Sequence, residues 1–283
     1  MCGGQFWDPM QSPGSAWYEQ DPRYSDRNAD PHTRPVITHR LFLRNNPAPN
    51  GALLDVGMGT GNFLNAARAR GYKVTGLDFD QGAIDVAKKN FNLADVHTYS
   101  LEQYHQHYPQ KYFDVMTFFE VIEHLGTPGI FIEEIKKMLK PCGYICISVP
   151  YRGAYKKFMG NDIPPRHLSR WNRRSMKFFL ELHGFEVIKM KRCWVSLDFI
   201  ITKFHFWTAG YLSFGLVRSA KLSKAKKISE HSSSSDWKIK TLFVIAKIKD
   251  YTLFIVPASL LYIYLIKKQK NHIGLFVIAR KKN

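Results

Sequence analysis

The sequence predicts an α/β fold with a doubly wound, mainly parallel sheet, and three features support this prediction. First, an apolar run over residues 53–56 ends in glycines at alternate positions within residues 57–61. Second, residues 63–67 have the apolar spacing of a helix, and another apolar run, residues 74–77, ends in an acid, Asp78. Third, strand-like and helical patterns continue to alternate along the chain. Such alternation is typical of parallel strands with helices on both faces of the sheet.

The first of these units is laid out to hold a nucleoside-bearing cofactor. Glycines in the turn after a strand let the backbone approach a ligand, and an acid after the next strand accepts hydrogen bonds from ribose hydroxyls. Dinucleotide-binding folds use the spacing G-x-G-x-x-G, with a pyrophosphate on the helix N-terminus. Here the spacing is G-x-G-x-G, and Asp55 lies two residues before the first glycine. The spacing therefore disfavours an NAD-dependent oxidoreductase.

The remaining strands and helices follow in order. Residues 113–119 are apolar and rich in β-formers, which predicts a buried strand. Pro128 begins a helical pattern that Pro141 and Gly143 end, and residues 144–150 form the next predicted strand. The later predicted elements are a helix over residues 174–183 and strands over residues 185–194 and 273–280.

The glycine turn and the string E-V-I-E-H-L at residues 120–125 together resemble the class I S-adenosylmethionine (SAM) methyltransferases. Within that class, the chain is similar to the broad small-molecule subfamily related to the ubiquinone-pathway O-methyltransferases. The resemblance covers about residues 50–195 and the last strand. It implies SAM as the cofactor and a Rossmann-like seven-stranded sheet that ends in an antiparallel hairpin. Met58 replaces a commoner cysteine and Cys142 replaces a glycine, but both positions offer mainly their backbone.

The resemblance also implies which residues bind the cofactor. In that class the acid before the glycines helps to bind the amino-acid end of SAM, and the acid after the second strand binds the ribose. Transferred to this chain, the expected cofactor-binding residues are Asp55, Gly57, Met58, Gly59, Gly61, Asp78, Phe79 and Phe119.

A group of acids and histidines after the strand over residues 113–119 is the candidate catalytic site. Glu120, Glu123 and His124 have helical spacing, which predicts that they point to one side at the carboxyl edge of the sheet. We expect the catalytic residues to be His124, His167 and Glu123, with a histidine as the base. Some relatives hold a divalent metal with an E-x-x-E-H string, and others use the string only to shape the pocket. The expectation here is a site without a metal, and a structural role remains the alternative.

The chain is predicted to have four segments. Residues 1–50 form an aperiodic cap over the cofactor cleft, residues 51–195 the SAM-binding domain, residues 196–271 a basic, apolar helical insertion, and residues 272–283 the last strand. The C-terminal part is strongly basic, because residues 151–283 contain 27 of the 41 Lys and Arg residues but 7 of the 23 acidic ones. Such polarised charge indicates a surface that meets polyanions.

The insertion between the last two strands holds two apolar stretches, residues 206–217 and 251–266, beside lysine-rich ones. As a helix the second stretch would be about 24 Å long, too short for a hydrocarbon core of about 30 Å. Helices that lie in the headgroup region of an anionic membrane suit this composition, and internal packing or a dimer interface is the alternative. Nucleic acid is disfavoured as a partner, because no RNA-binding module is recognisable.

These features predict a SAM-dependent methyltransferase that acts on a small-molecule, lipid-linked or glycan-precursor acceptor. The protein is expected to be a monomer or homodimer, cytoplasmic and peripheral on the inner face of a membrane. Its 4 cysteines lack metal-site spacing and no signal sequence is recognisable, which favours a reducing compartment. A catalytically silent SAM-binding protein and an RNA methyltransferase are the alternative functions.

Overall fold

The computed structural model describes residues 2–14, 17, 28, 36–151, 163–194, 197, 200–201, 252, 254–267 and 272–283. Two compact units make up the chain: one combines residues 1–193 and 272–283, and the other spans residues 194–271. The apolar stretch predicted at residues 206–217 lies outside the described residues, as does much of the predicted cap between residues 15 and 35.

The larger unit is an α/β domain in which strands and helices alternate. Its strands are β1 (Gln5–Phe6), β2 (Ala52–Val56), β3 (Lys73–Leu77), β4 (Val96–His97), β5 (Phe113–Phe119), β6 (Leu139–Pro150), β7 (Ser169–Arg170), β8 (Phe185–Trp194) and β9 (His272–Lys281). Its helices are α1 (Ile37–Asn45), α2 (Asn62–Arg68), α3 (Gln81–Phe91), α4 (Leu101–His107), α5 (Pro128–Met138) and α6 (Arg173–Leu182).

Seven of these strands form one sheet in the order β4-β3-β2-β5-β6-β9-β8. The pairs from β4 to β6 are parallel, and β9 pairs antiparallel with β6, with Cys146 opposite Ile278. β1 and β7 form a separate antiparallel pair, with Gln5 opposite Arg170. The predicted Rossmann-like, seven-stranded sheet with an antiparallel end is confirmed.

The sheet is buried on both faces, which explains why its central strands are continuous apolar runs. Leu53 and Leu54 are neighbours in β2 and both fully buried, but they belong to different hydrophobic clusters. Val115 and Met116 of β5 divide between the clusters in the same way. Since successive side chains of a strand point to opposite faces, the two clusters are the two layers between the sheet and its helices.

The junction between α5 and β6 differs from the prediction. The sequence predicts a turn at residues 141–143, whereas β6 begins at Leu139, directly after α5. Leu139 pairs with Phe113, the register shifts before Val115, and Cys142 has a φ of +56°. The predicted turn is therefore an irregularity inside a longer strand, at a position whose backbone favours glycine.

The smaller unit contains a further helix, α7, over residues 254–267. Phe254 and Ala258 of α7 are buried in a cluster with Ile200 and Ile201. Within the described part of the chain, no helix combines the length and the hydropathy that a membrane span requires.

Candidate active site

The glycine turn after β2 has a backbone that other residues adopt only with strain. Gly57, Gly59 and Gly61 have φ values of +74°, +56° and +79°. A Cβ atom at Gly57 would lie 2.7 Å from Val121 Cγ2, and one at Gly61 would lie 2.8 Å from Leu93 Cδ1. Glycine is therefore required at these two positions for space as well as for conformation.

Hydrogen bonds tie this turn to the end of β3. The N–H groups of Gly57 and Met58 donate to Leu77 O at 2.8 Å and 3.0 Å. The N–H of Gly59 donates to Asp78 Oδ2 at 2.7 Å. Asp78 is only 5% exposed. The acid that is predicted to bind ribose therefore also organises the glycine turn.

Asp55, the acid before the glycines, is almost fully buried in the sheet. Its Oδ1 accepts a hydrogen bond of 2.6 Å from Thr117 Oγ1 on the neighbouring strand β5. Burial raises the pKa of Asp55 to about 8, against the opposing effect of the Thr117 hydrogen bond and with a further contribution from Asp78. At neutral pH this carboxyl group is therefore mostly protonated, and a cation placed beside it would favour its ionised form.

A cleft opens beside the glycine turn, and both apolar and polar side chains line it. Five of the predicted cofactor-binding residues line it: Asp55, Gly57, Met58, Gly59 and Phe119. The other lining residues, which the sequence analysis does not single out, are Val36, His39, Thr60, Asn62 and Phe63. Gly61, Asp78 and Phe79 are outside this lining, and the Phe79 side chain is 38% exposed.

A second group of polar side chains follows Phe119 along the chain. A 3₁₀ turn, Ile122–His124, carries Glu123 and His124, and one potential ligand atom from each of Glu123, His124 and His167 lies within 4.8 Å of the others. The rings of His124 and His167 meet edge to face, with their centroids 4.9 Å apart. Glu123 is 1% exposed. The structure thus brings together all three residues that are predicted to be catalytic.

The hydrogen bond of His124 to the backbone assigns the proton on its ring. His124 Nδ1 lies 2.5 Å from Arg166 O, and because a carbonyl oxygen only accepts, Nδ1 is the donor. In the neutral ring the lone pair is then on Nε2, which lies 3.9 Å from Glu123 Oε1. An imidazole held in this way presents Nε2 to take up a proton or to bind a cation.

Glu120 does not join this group, and the prediction from helical spacing is wrong. β5 ends at Phe119 and the 3₁₀ turn begins at Ile122, so no α-helix carries residues 120–124. Glu120 has a φ of +56°, and its Oε1 accepts a hydrogen bond of 2.9 Å from Ser148 Oγ. The spacing rule requires a continuous helix, which this part of the chain does not form.

The three clustered side chains also form a donor set that suits a metal ion. One carboxylate and two imidazoles are common ligands of zinc and other transition metals. The sequence-based expectation is a site without a metal, whereas Glu123, His124 and His167 offer three candidate ligands at compatible distances. The arrangement therefore allows either proton transfer by histidine or cation binding.

Comparison with known proteins identifies the larger unit. A family model described as a methyltransferase domain matches residues 30–190, which is more than half of the chain. The chain belongs to this methyltransferase family. The matched residues include the glycine turn, the acids Asp55 and Asp78, and the cluster of Glu123, His124 and His167.

Two curated relatives are similar in sequence to part of this chain. A probable S-adenosylmethionine-dependent methyltransferase from Mycolicibacterium smegmatis is 27% identical over 135 residues, which is 48% of this chain and 52% of the relative. A ubiquinone biosynthesis O-methyltransferase from Proteus mirabilis is 29% identical over 157 residues, 54% of this chain and 62% of the relative. The chain therefore spans little more than half the length of these relatives.

A solved structure has a fold similar to that of this chain. The crystal structure of a SAM-dependent methyltransferase from Archaeoglobus fulgidus superposes with a TM-score of 0.56 at 18% sequence identity. The match covers 92% of this chain and 100% of that one. At this identity the likeness shows the fold alone. The family match makes SAM the cofactor of this methyltransferase, as predicted.

The contribution of α1 to the cleft of the methyltransferase was not predicted from the sequence. α1 lies within residues 1–50, where no regular element is predicted, but Leu41 and Phe42 are buried on its inner side. The four-residue spacing of Ile37 and Leu41 was the available signal for a helix. Nothing in that spacing indicates that His39, on the same helix, lines the cleft.

Proposed function

We propose that this methyltransferase transfers the methyl group of SAM to a hydroxyl group of a small-molecule acceptor. The observation that carries the proposal is the cluster of Glu123, His124 and His167, whose first member follows the cleft-lining Phe119 by four residues. The chain connects the two directly, since Phe119 lines the cleft and Val121 packs against the glycine turn. Relatives named as O-methyltransferases support oxygen as the acceptor atom.

The chemistry needs alignment and one base. The sulfonium supplies the driving force, so the protein has to orient the acceptor and exclude water. The acceptor oxygen bonds to the methyl carbon while the carbon–sulfur bond breaks, and S-adenosylhomocysteine (SAH) leaves as a neutral thioether. The hydroxyl proton passes to His124 Nε2, which suits this role because Nδ1 already donates to Arg166 O.

A divalent cation is the second candidate for activating the acceptor. Glu123, His124 and His167 would hold it, because their ligand atoms lie within 4.8 Å of one another. When bound, such an ion lowers the pKa of a coordinated hydroxyl group. Loss of activity on chelation would distinguish the cation from a histidine that acts alone.

The test of the proposed function has two steps on the full-length protein. Calorimetric titration with SAH measures cofactor binding, and the absence of heat would contradict a SAM-dependent enzyme. Incubation with methyl-labelled SAM and separated small-molecule, lipid and RNA fractions then identifies the acceptor class. Label in the small-molecule or lipid fraction supports the proposal. Label only in RNA would favour an RNA methyltransferase, and binding without transfer would favour a silent SAM-binding protein.

We also propose that the smaller unit attaches the enzyme to the cytoplasmic face of an anionic membrane. Four apolar side chains of α7, Val256, Leu260, Ile263 and Tyr264, are 65%, 65%, 50% and 53% exposed. Three lysines lie within residues 267–270. Exposed apolar side chains beside cations suit a helix that lies in the headgroup region, and a cluster of this kind is uncommon on a free surface. A lipid-linked acceptor would suit such an attachment.

A further inference from the structure

His39 of α1 lines the cofactor cleft and has a buried ring nitrogen without a hydrogen-bond partner among the described residues. Its ring packs against those of Phe63 and Phe119, with centroid separations of 5.0 Å and 5.1 Å, and these two rings also contact each other. His39 Nδ1 is buried and makes no hydrogen bond to any part of the chain that the structure describes. An apolar ring would fill this place without the cost of a buried polar atom, so we expect the histidine to act through its other ring nitrogen, Nε2, at the cleft.

The protonation of the His39 ring determines which nitrogen can donate a hydrogen bond to a ligand. Burial lowers the pKa of His39 to about 4, so the ring is neutral at pH 7. A neutral imidazole carries one N–H, which at Nδ1 would be a buried donor without an acceptor among the described residues. We therefore assign the proton to Nε2, the nitrogen that a molecule in the cleft can reach. His39 then presents one uncharged donor.

The glycine turn has few donors of its own left for a ligand. The N–H groups of Gly57 and Met58 donate to β3, and that of Gly59 donates to Asp78. The N–H of Gly61 donates to Met58 O at 3.2 Å. Asp55 in the same cleft is an acid that suits an ammonium group. A carboxylate bound here therefore needs donors from side chains on the other walls.

Of the other polar side chains in the lining, Asn62 is already engaged with its neighbour. Its Nδ2 donates to Thr60 Oγ1 at 3.0 Å. His39 belongs to a different element, α1, and its ring contacts the rings of Phe63 and Phe119. With its proton on Nε2, His39 can supply a directed donor to an anionic group from this wall of the cleft.

We infer that His39 donates a hydrogen bond from Nε2 to the carboxylate of the methionine part of SAM. The inference rests on the proposed function, since it takes the cleft to hold the amino-acid end of SAM beside Asp55. The two charged groups of the methionine part then have separate partners. Its ammonium group contacts Asp55, and its carboxylate accepts from His39. His39 is then a specificity residue that favours SAM and SAH over adenosine thioethers without an amino-acid part.

The test compares SAH with 5′-methylthioadenosine, which has no carboxylate. His39→Phe keeps an aromatic ring against Phe63 and Phe119 but removes the donor, and His39→Gln restores an N–H near the position of Nε2. By calorimetry we expect His39→Phe to weaken SAH binding by about 10- to 100-fold, the range for a hydrogen bond to a charged group. Binding of methylthioadenosine should be unchanged, and His39→Gln should recover most of the SAH affinity.

The outcomes separate this inference from the proposed function. Equal losses for the two ligands, or wild-type SAH affinity in His39→Phe, would overturn the role of His39. A wild-type protein that binds neither ligand would instead contradict the proposed function. If His39→Phe does not fold, His39→Asn can be used instead. The asparagine side chain is too short for its N–H to reach the position of His39 Nε2. An unchanged ratio of the SAH and methylthioadenosine affinities in His39→Asn would overturn the inference equally.

Discussion

The N–H of Gly59 donates to Asp78 Oδ2 across 2.7 Å, so the carboxylate after β3 holds the glycine turn that follows β2. The other oxygen, Oδ1, accepts from the N–H of Asp80 at 3.0 Å. Both oxygens therefore organise backbone on the rim of the proposed cofactor site. Since one carboxylate oxygen can accept more than one hydrogen bond, we expect ribose hydroxyls to donate to the same carboxylate.

Substitution Asp78→Asn should impair both cofactor binding and stability. An amide has one acceptor atom, so its NH₂ group would face the N–H of either Gly59 or Asp80. We expect SAH affinity to fall by at least about 100-fold and the free energy of unfolding to fall by about 1–3 kcal/mol. Calorimetry and urea unfolding measure the two effects. Asp85→Asn, at an exposed acid on α3, is the matched control. Wild-type SAH affinity in Asp78→Asn would mean that the ribose site was misassigned.

The stability of the protein should depend on pH through Asp55. The folded-state pKa of about 8 lies above the ordinary value of 3.8, so the folded protein holds a proton that the unfolded chain releases. The contribution to stability is therefore complete below about pH 4 and is lost as pH rises to about 8, by up to about 1.4 kcal/mol per pH unit.

Asp55→Asn removes this titration and should flatten the pH dependence. Urea unfolding of both proteins at pH 5, 7 and 9, without cofactor, measures the difference in slope. We expect Asp55→Asn to lose less stability than the wild type between pH 5 and pH 9, while Asp85→Asn follows the wild type. Parallel curves for Asp55→Asn and the wild type would show that the carboxyl group is ionised in the fold.

The sequence could predict the glycine turn because its chemistry is local. At Gly57 the backbone has a positive φ, and a Cβ atom would lie too close to Val121. Only glycine fits there, so the glycine in the sequence indicates this local structure. Glu120 shows the opposite case. Its position depends on where β5 ends and on the partner Ser148 in β6, 28 residues away. His39 depends on the packing of α1 against two aromatic rings, which spacing along the chain does not encode.

Comparison of His124→Ala with His167→Ala can show whether the histidine cluster acts as a base, holds a cation or has only a structural role. If His124 is the base, His124→Ala should bind SAH normally and lose about 10²- to 10⁴-fold in turnover, with partial recovery at high pH. If a cation is held instead, both variants should lose turnover and a chelator should inactivate the wild type, with restoration by added Mg²⁺ or Zn²⁺. His107→Ala, at an exposed histidine on α4, is the control. Full turnover in both variants, with no chelator effect, would leave the cluster a structural role.

Removal of the smaller unit should leave a domain that binds SAM. β8 ends at Trp194, β9 begins at His272, and the two strands are neighbours in the sheet, so a short turn can join them. Every residue that lines the cleft falls between Val36 and Phe119. We expect the shortened protein to bind SAH with the affinity of the full chain by calorimetry. A soluble but non-binding product would show that the insertion contributes to the cofactor site.

Binding to membranes tests the apolar surface of α7. We expect the full-length protein to sediment with vesicles that contain phosphatidylserine at low salt and to bind phosphatidylcholine vesicles less. Binding should weaken as salt rises, because the Debye length falls to about 8 Å at physiological ionic strength and lysine–headgroup attraction is screened. A residual fraction should remain bound through inserted apolar side chains.

A matched pair of variants distinguishes membrane binding by inserted apolar side chains from binding by lysine charge alone. Leu260 of α7 and Leu182 of α6 are 65% and 69% exposed, so each can be changed to aspartate at similar cost to the fold. If α7 lies in the headgroup region, Leu260→Asp should abolish the salt-resistant fraction, whereas Leu182→Asp should sediment like the wild type. Equal behaviour of the two variants would show that the lysines alone attract the vesicles. Failure of the wild-type protein to sediment at low salt would contradict membrane attachment altogether, leaving the exposed face of α7 to a protein contact.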